Sequence, residues 1–247
     1  MNGTCVVTGG SRGIGRAVAV RMAADGYEVV ATGRDREALA ETVEASGGSV
    51  TTEVLDVTDA AAVSDFFDGR AVDVLVNNAG VAPSAPLERT SLEEWESTMR
   101  VNATGAFLCT RAVIGGMKQR NRGRIVTVAS VASHVGARYI GAYVASKHAV
   151  LGLMRAVAAE LAGSAVTANS VCPAYVDTPM TDASVERIGQ KTGMEAEAAR
   201  ERLVRSVPLG RLLAPEEVAH VVAFLAHPDS GAINGQSIVL DGGGLQL

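Results

Sequence analysis

The chain lacks most of the residue patterns that mark metal proteins, disulfide scaffolds, nucleic-acid binders and membrane proteins. Among its 247 residues are only three cysteines, Cys5, Cys109 and Cys172, each set singly in an apolar context. Single thiols make no zinc-type spacing, and an odd count suits no disulfide framework. Three buried free thiols in a cytoplasmic protein, with no metal centre, is the expectation. Lysine occurs only at positions 118, 147 and 191, and no block of positive charge appears anywhere. With a net charge of −5, nucleic acid is not an expected partner. Glycine or a charge interrupts every apolar run well short of a bilayer span, and no basic-then-apolar leader precedes the first strand. No membrane association is expected. There is also no Pro- or Ser-rich linker and no internal repeat, which leaves a single domain over residues 1–247.

What the chain does have is a large apolar share, 47%, arranged in alternating runs. TCVVTGG, YEVVATG, SVTTEVLDV, AVDVLVNNAG, RIVTVAS, VTANSVCP and SIVLDGG read as short strands of continuous apolar character. Helical patterns such as IGRAVAVRMAADG and REALAETVEASG follow them. Longer helices are expected around 92–118 and 143–162. Continuously apolar strands, each leading into a helix, specify an α/β fold of the Rossmann type: one doubly wound parallel sheet of about seven strands, covered on both faces. Residues from about 180 to 208 read instead as two short amphipathic helices joined at Thr192-Gly193. Such a helical lid would shape a substrate pocket.

Two places carry chemistry. The first is Thr8-Gly9-Gly10-Ser11-Arg12-Gly13-Ile14-Gly15, between the first strand and the first helix. Glycines there let a pyrophosphate approach the backbone, and the helix N-terminus offers it free N–H groups and the positive end of a dipole. The second is Ser130 after the RIVTV strand, followed by Tyr143 and Lys147. At i and i+4 on one helix, a phenol and an ammonium face the same way. A neighbouring cation favours the phenolate, so the expectation is a phenol pKa below its usual ~10 and a group able to move a proton.

Taken together, TGGSRGIG, the NNAG at Asn77–Gly80, Asn102 in RVNATG, Ser130 and Tyr143-x-x-x-Lys147 resemble the short-chain dehydrogenase/reductase family. Ser130 stands thirteen positions before Tyr143, the usual interval there. The resemblance implies that Gly9, Ser11, Arg12, Gly13, Ile14 and Gly15 cradle the pyrophosphate of a dinucleotide. By the same resemblance Asp56 and Val57 hold the adenine, and Asn78, Ala79 and Gly80 line the path of the ribose. Asp56 also reads as a turn residue, and the Asn78 motif as a device that fixes the sheet.

Tyr143 would be the proton donor, Ser130 the group that orients a carbonyl, and Lys147 the partner of both phenol and nicotinamide ribose. Asn102 would hold a water that links Lys147 to solvent, or else satisfy backbone groups at a helix kink. Ser133 is a rival for Ser130, and His134 and His148 read as structural. In CPAYVDTPM, Pro173, Val176 and Thr178 would meet the carboxamide and phosphates. The family pattern has Pro-Gly where this chain has Pro173-Ala174, which bears on how tightly the backbone turns.

Cofactor choice rests on the end of the second strand. An acid there would bond a ribose 2′-hydroxyl, but Gly33 takes the position and Arg34 follows, which suits a 2′-phosphate. Asp35 is the competing ribose acid and also reads as a helix N-cap. NADPH is therefore expected over NADH. The overall pattern is most similar to reductases of 3-oxoacyl thioesters on coenzyme A or acyl carrier protein, and to polyketide ketoreductases. A dehydrogenase of secondary alcohols, sugars, steroids or hydroxy acids shares every motif, and a non-catalytic dinucleotide-binding regulator is a remoter alternative. Small apolar faces around 103–118 and 147–162, with the resemblance, imply a homotetramer.

Overall fold

Valine-rich strands with no alternating polar face must be buried on both sides, and the computed structural model buries the five inner ones so, leaving the two edge strands partly open. It describes residues 3–246; Met1, Asn2 and Leu247, part of the expected domain, lie outside the described residues. Seven strands form one sheet: β1 (Thr4–Thr8), β2 (Glu28–Gly33), β3 (Val50–Val54), β4 (Val74–Asn77), β5 (Gly123–Val128), β6 (Val166–Pro173) and β7 (Ser237–Leu240). They lie in the order β3-β2-β1-β4-β5-β6-β7, and every pairing is parallel. Each of the seven strand stretches read from the sequence is present.

Alternate residues of the strands feed two separate cores. Val7, Ala31, Val76 and Val128 pack under α1 (Gly13–Ala24) and α9 (Pro215–Ala226) through Val18, Met22, Val218 and Val222. Val6, Val30, Leu75 and Ile125 face the other way. They meet α3 (Ala60–Phe67), α5 (Gly105–Arg120) and α6 (Gly141–Glu160) through Phe67, Leu108, Met117 and Met154. Fully burying a side chain of this size contributes roughly 1.5–3 kcal/mol, so the double layer accounts for much of the fold's stability. α2 (Arg36–Ala45) lies beside α1, tied by Arg16, which donates to the Ala38 carbonyl and to Thr42 and Glu41.

One register row is polar across the sheet. Glu53 pairs with Thr32, Thr32 with Thr8, Asn77 with Thr127, Thr127 with Ser170 and Ser170 with Ser237. Thr8 and Asn77 each follow the registered pair Val7 and Val76. The row stands at the carboxyl ends of most strands, where the apolar core gives way to the loops. That end is where ligands bind in open α/β sheets.

Two expectations about helices change. The helix read over 92–118 is three pieces: α4 (Leu92–Met99), one wider π-helical turn over Arg100–Thr104, and α5. α3, which was not singled out, fills the space between β3 and β4, with the Asp59 carboxylate accepting from the Ala61 and Ala62 N–H groups at its start. The lid is as expected: α7 (Pro179–Thr192) and α8 (Ala196–Val204), joined at Gly193, whose φ of +70° needs no Cβ. Val185, Ile188, Met194, Ala199 and Leu203 make its small core. No helix among the described residues is long and apolar enough to cross a membrane. Cys5, Cys109 and Cys172 are all free and buried.

Candidate active site

The chain reverses its winding between β1 and β4, and the crevice between their carboxyl ends opens into a cavity of about 720 Å³. Its floor is the Gly-rich turn. A Cβ on Gly9 would come within 2.8 Å of Ala79 Cα, and one on Gly15 within 2.1 Å of the Gly9 carbonyl oxygen, so this cradle admits only hydrogen at those positions. α1 then begins with no side chain capping it and no acid in its first turn. Its N–H groups and positive dipole end are left to a ligand's anion.

The second wall is stitched to the first. Thr8 Oγ1 donates to the Val76 carbonyl and accepts from the Asn78 and Ala79 N–H groups. Asn78 Nδ2 donates to the Thr8 and Gly9 carbonyls at 3.0 and 2.9 Å. The Asn78 side chain therefore fixes the loop, while Asn78, Ala79 and Gly80 line the cavity.

At the far end stand Gly33, Arg34, Asp35, Asp56 and Val57. Asp35 caps α2 through the Ala38 N–H and pairs with Arg12 at 2.6 Å; the cap and Arg12 hold its carboxyl below the usual range. Asp56 closes a turn by accepting from the N–H and hydroxyl of Thr58, and its other oxygen is 3.9 Å from Arg34. The Arg34 guanidinium is 71% exposed at the cavity rim. Val57 also packs on Gly105, where a Cβ would come within 2.7 Å, so α5 passes the cavity only at a glycine.

Thr178 lines the opposite side with Pro179 and Met180, its methyl group 3.0 Å from the site of a Cβ on Gly13. Pro173 and Val176, expected near the ligand, have buried side chains and do not line this cavity. The Val176 carbonyl accepts from Thr178 and Thr181, and Pro173 ends β6. Ala174 follows with no left-handed φ, so the turn does not need the family's glycine. Leu55, Val81, Val101, Pro179 and Met180 line the cavity without having been singled out. The only signal for them was adjacency: each flanks a residue that was named.

Asn102, Ser130, Tyr143 and Lys147 converge beyond Gly80. A Cβ on Gly80 would lie 3.4 Å from Asn102 Oδ1 and 3.8 Å from Lys147 Nζ, so this glycine marks where the cavity meets the polar group. Asn102 sits in the π-helical turn and is buried. Its Oδ1 accepts from the Val81 N–H, and its Nδ2 donates to the Val81 carbonyl and to Ser146 Oγ, all within 2.9 Å. Ser146 in turn donates to the Tyr143 carbonyl. The amide thus satisfies the Val81 backbone of the loop after β4 and ties that loop and the π-helical turn to α6.

Lys147 Nζ donates to the Val128 carbonyl at 2.8 Å and lies 5.7 Å from the Tyr143 ring centre; burial pushes its pKa down to about 8. The phenol behaves differently from expectation. Burial raises its pKa above the ordinary value, opposed by a side-chain hydrogen bond with Ser130. Desolvation is the largest influence on it. Ser130 Oγ also accepts from the Ala132 N–H. Ser133 Oγ is buried with no partner among the described residues. His148 bonds the Val144 carbonyl, and burial lowers the pKa of His134.

The chain as a whole is similar to known proteins. A family model described as enoyl-(acyl carrier protein) reductase matches residues 9–244. The chain is 39% identical to a 3-oxoacyl-[acyl-carrier-protein] reductase of Thermotoga maritima, over 97% of this chain and 96% of that one. It is 37% identical to an acetoacetyl-CoA reductase of Rhizobium meliloti, over 98% of each. A solved actinorhodin polyketide ketoreductase with NADPH superposes with a TM-score of 0.93 at 34% identity, covering 97% of this chain and 96% of the other.

Proposed function

Because the chain belongs to the short-chain dehydrogenase/reductase family, we propose that it reduces a 3-oxoacyl thioester, on coenzyme A or acyl carrier protein, to the 3-hydroxyacyl product. The similar reductases support the substrate class. The observation that carries the chemistry is the convergence of Ser130, Tyr143 and Lys147, with Lys147 reaching Gly80 at the edge of a cavity shaped for a dinucleotide.

The cavity fits that cofactor on its own features: a glycine cradle with no room for a Cβ, an uncapped helix N-terminus, and Arg34 at the end where a ribose phosphate would lie. A bound NADPH supplies the hydride. Arg34 and Arg12 face a 2′-phosphate, and Gly33 leaves out the acid that would repel it. Asp35 is engaged as an N-cap, which favours NADPH over NADH.

The protein's own groups handle the proton. Ser130 holds and polarises the carbonyl oxygen. Tyr143, kept protonated by its buried setting, donates to that oxygen as negative charge grows on it. Lys147 stabilises the phenolate left behind, and Asn102 keeps the kink that brings the Val81 loop against the helix of Tyr143 and Lys147. The three free thiols fit a reducing cytoplasm, and a homotetramer is part of the same reading.

The test is the initial rate of cofactor oxidation with acetoacetyl-CoA, NADPH and NADH compared side by side. Rapid turnover with NADPH is expected. Tyr143→Phe should lower kcat by about 10²–10⁴ while leaving NADPH binding near normal, the range for loss of a general acid. Retained turnover in the variant removes Tyr143 from that role. Cofactor binding without turnover moves the search to secondary alcohols, sugars and polyketides.

A further inference from the structure

The lid was read as a shaper of the substrate pocket. Three of its arginines are bonded within the protein. Arg187 on α7 donates to the Ala82 carbonyl at 3.0 Å, and Arg205 pairs with Glu201 along α8. Arg200, on α8, bonds two carboxylates at once, Asp177 and, at 2.9 Å, Asp182. Those two acids bracket Thr178, Pro179 and Met180, the three residues that form the outer wall of the cavity against Gly13 and Ile14. One guanidinium therefore spans both ends of that wall from outside.

The other bonds of the segment turn away from α8. The Asp177 N–H donates to the Leu213 carbonyl, Thr178 and Thr181 close on the Val176 carbonyl, and Leu213 bonds the Tyr175 carbonyl. These hold the base of the turn to the body of the protein. Pro179 and Met180 themselves open α7, where the Thr181 and Asp182 N–H groups return to the Thr178 carbonyl, so the wall is the first turn of that helix. Arg187 adds a second tie, from α7 across to the loop after β4, where Gly80 and Val81 form the facing wall.

We propose that Arg200 is a positioning residue for the cofactor: by gripping Asp177 and Asp182 it holds the Thr178–Met180 wall against the Gly-rich turn, so that departure of α8 from this pair releases the dinucleotide. The proposal rests on the cavity being a dinucleotide site. It assigns α8, which does not line the cavity, control over how long the cofactor stays. Side-chain exposures of 33% for Arg200 and 57% and 54% for the two acids leave the clamp partly open to water, which makes it separable and sensitive to salt.

The experiment is stopped-flow fluorescence of NADPH binding and release on the full chain, with melting temperature measured in parallel. Binding by the wild-type protein establishes the site itself; if it fails, the cofactor reading falls and the clamp falls with it. Given wild-type binding, Arg200→Met should raise the NADPH dissociation rate about three- to thirtyfold, the scale of one or two partly exposed charge pairs. Asp182→Asn, which cuts one arm and leaves Arg200 in place, should raise it by a smaller factor, and Arg200→Lys should recover part of the loss. Arg205→Met, on the same helix but bonded only within it, should not change the rate. Dissociation rates equal to wild type in both Arg200→Met and Asp182→Asn, with the fold intact, would overturn the proposal. So would an equal increase in Arg205→Met, since that would trace the effect to α8 in general.

Discussion

Lys147 carries an ionic charge in a place that disfavours it. Its ammonium is buried, and that burial brings the pKa down to about 8 even though Nζ donates to the Val128 carbonyl. The unfolded chain keeps the ordinary value near ~10.4, so between these pH values the unfolded state binds more protons and stability rises with pH. Below about 8 the buried charge is a standing cost. Lys147→Met should therefore abolish turnover yet stabilise the fold at pH 7 by roughly 1–3 kcal/mol, a gain that shrinks as pH rises toward 10. Urea melts of both proteins at pH 7 and pH 10 check this; a less stable variant at pH 7 would contradict it. The Tyr143–Lys147 pair itself was legible, because i, i+4 spacing is a local property. The direction of the phenol's shift was not. It depends first on how much protein closes over Tyr143, with Ser130 opposing the rise and Tyr175 and Cys172 adding to it, and none of these is a neighbour in sequence. Arg34 and Asp35 were legible for the same local reason as the pair: an N-cap and a strand end are read within a few residues.

At the scale of elements, the seven strands could be read because most are short Val-rich runs set off by Gly, Pro or helical patterns, although β3 and β6 carry polar residues. The π-helical turn at Arg100–Thr104 could not. Val, Asn, Thr and Gly make RVNATG a weak helix former without specifying a wider turn, and here the buried Asn102 amide reaches the Val81 backbone across the cavity's edge. α9 shows a different local device. Glu217 accepts from the Ala214 N–H at the helix start and takes a bidentate grip from Arg211, which together hold its pKa down to about 2. A depressed carboxyl adds stability above its unfolded pKa and loses it as pH falls through the folded one. Glu217→Gln should thus melt lower than wild type at pH 7, and the gap should close as pH drops from about 4.5 toward 2. Thermal melts across that window test it; a gap that persists at pH 2 would mean that packing, not charge, carries the cap.

For the whole molecule, the two helices expected to meet a second copy do present small residues outward. Ala112 and Gly115 on α5, and Ala149, Gly152, Ala156 and Ala159 on α6, are exposed, and an added Cβ at Gly115 or Gly152 meets nothing within 4 Å. Phe107 stands 42% exposed on the same helix as Gly115. Flat faces of this kind allow close approach of paired helices, and closed symmetric assemblies are the common outcome. Light scattering at micromolar concentration should give four times the mass of the 25.4 kDa chain, and Phe107→Asp should shift it to smaller species. A monomer mass for the wild-type protein would refute the assembly. The sequence showed small apolar residues on these helices, but which of them face outward required the sheet.

The strand order has a consequence for synthesis. β3, β2, β1 and β4 are neighbours in the sheet and also the first four strands to leave a ribosome, together with the Gly-rich turn and the loop at Asn78. Domains are made N-terminus first, so the half of the sheet that cradles a dinucleotide can pair before Ser130, Tyr143 or Lys147 exists. The wall at Thr178–Met180 and the arginine that holds it emerge only after all of those. A nascent chain would therefore meet its cofactor with an open cradle, and the cofactor could be retained only after the proton-donating group was already in place.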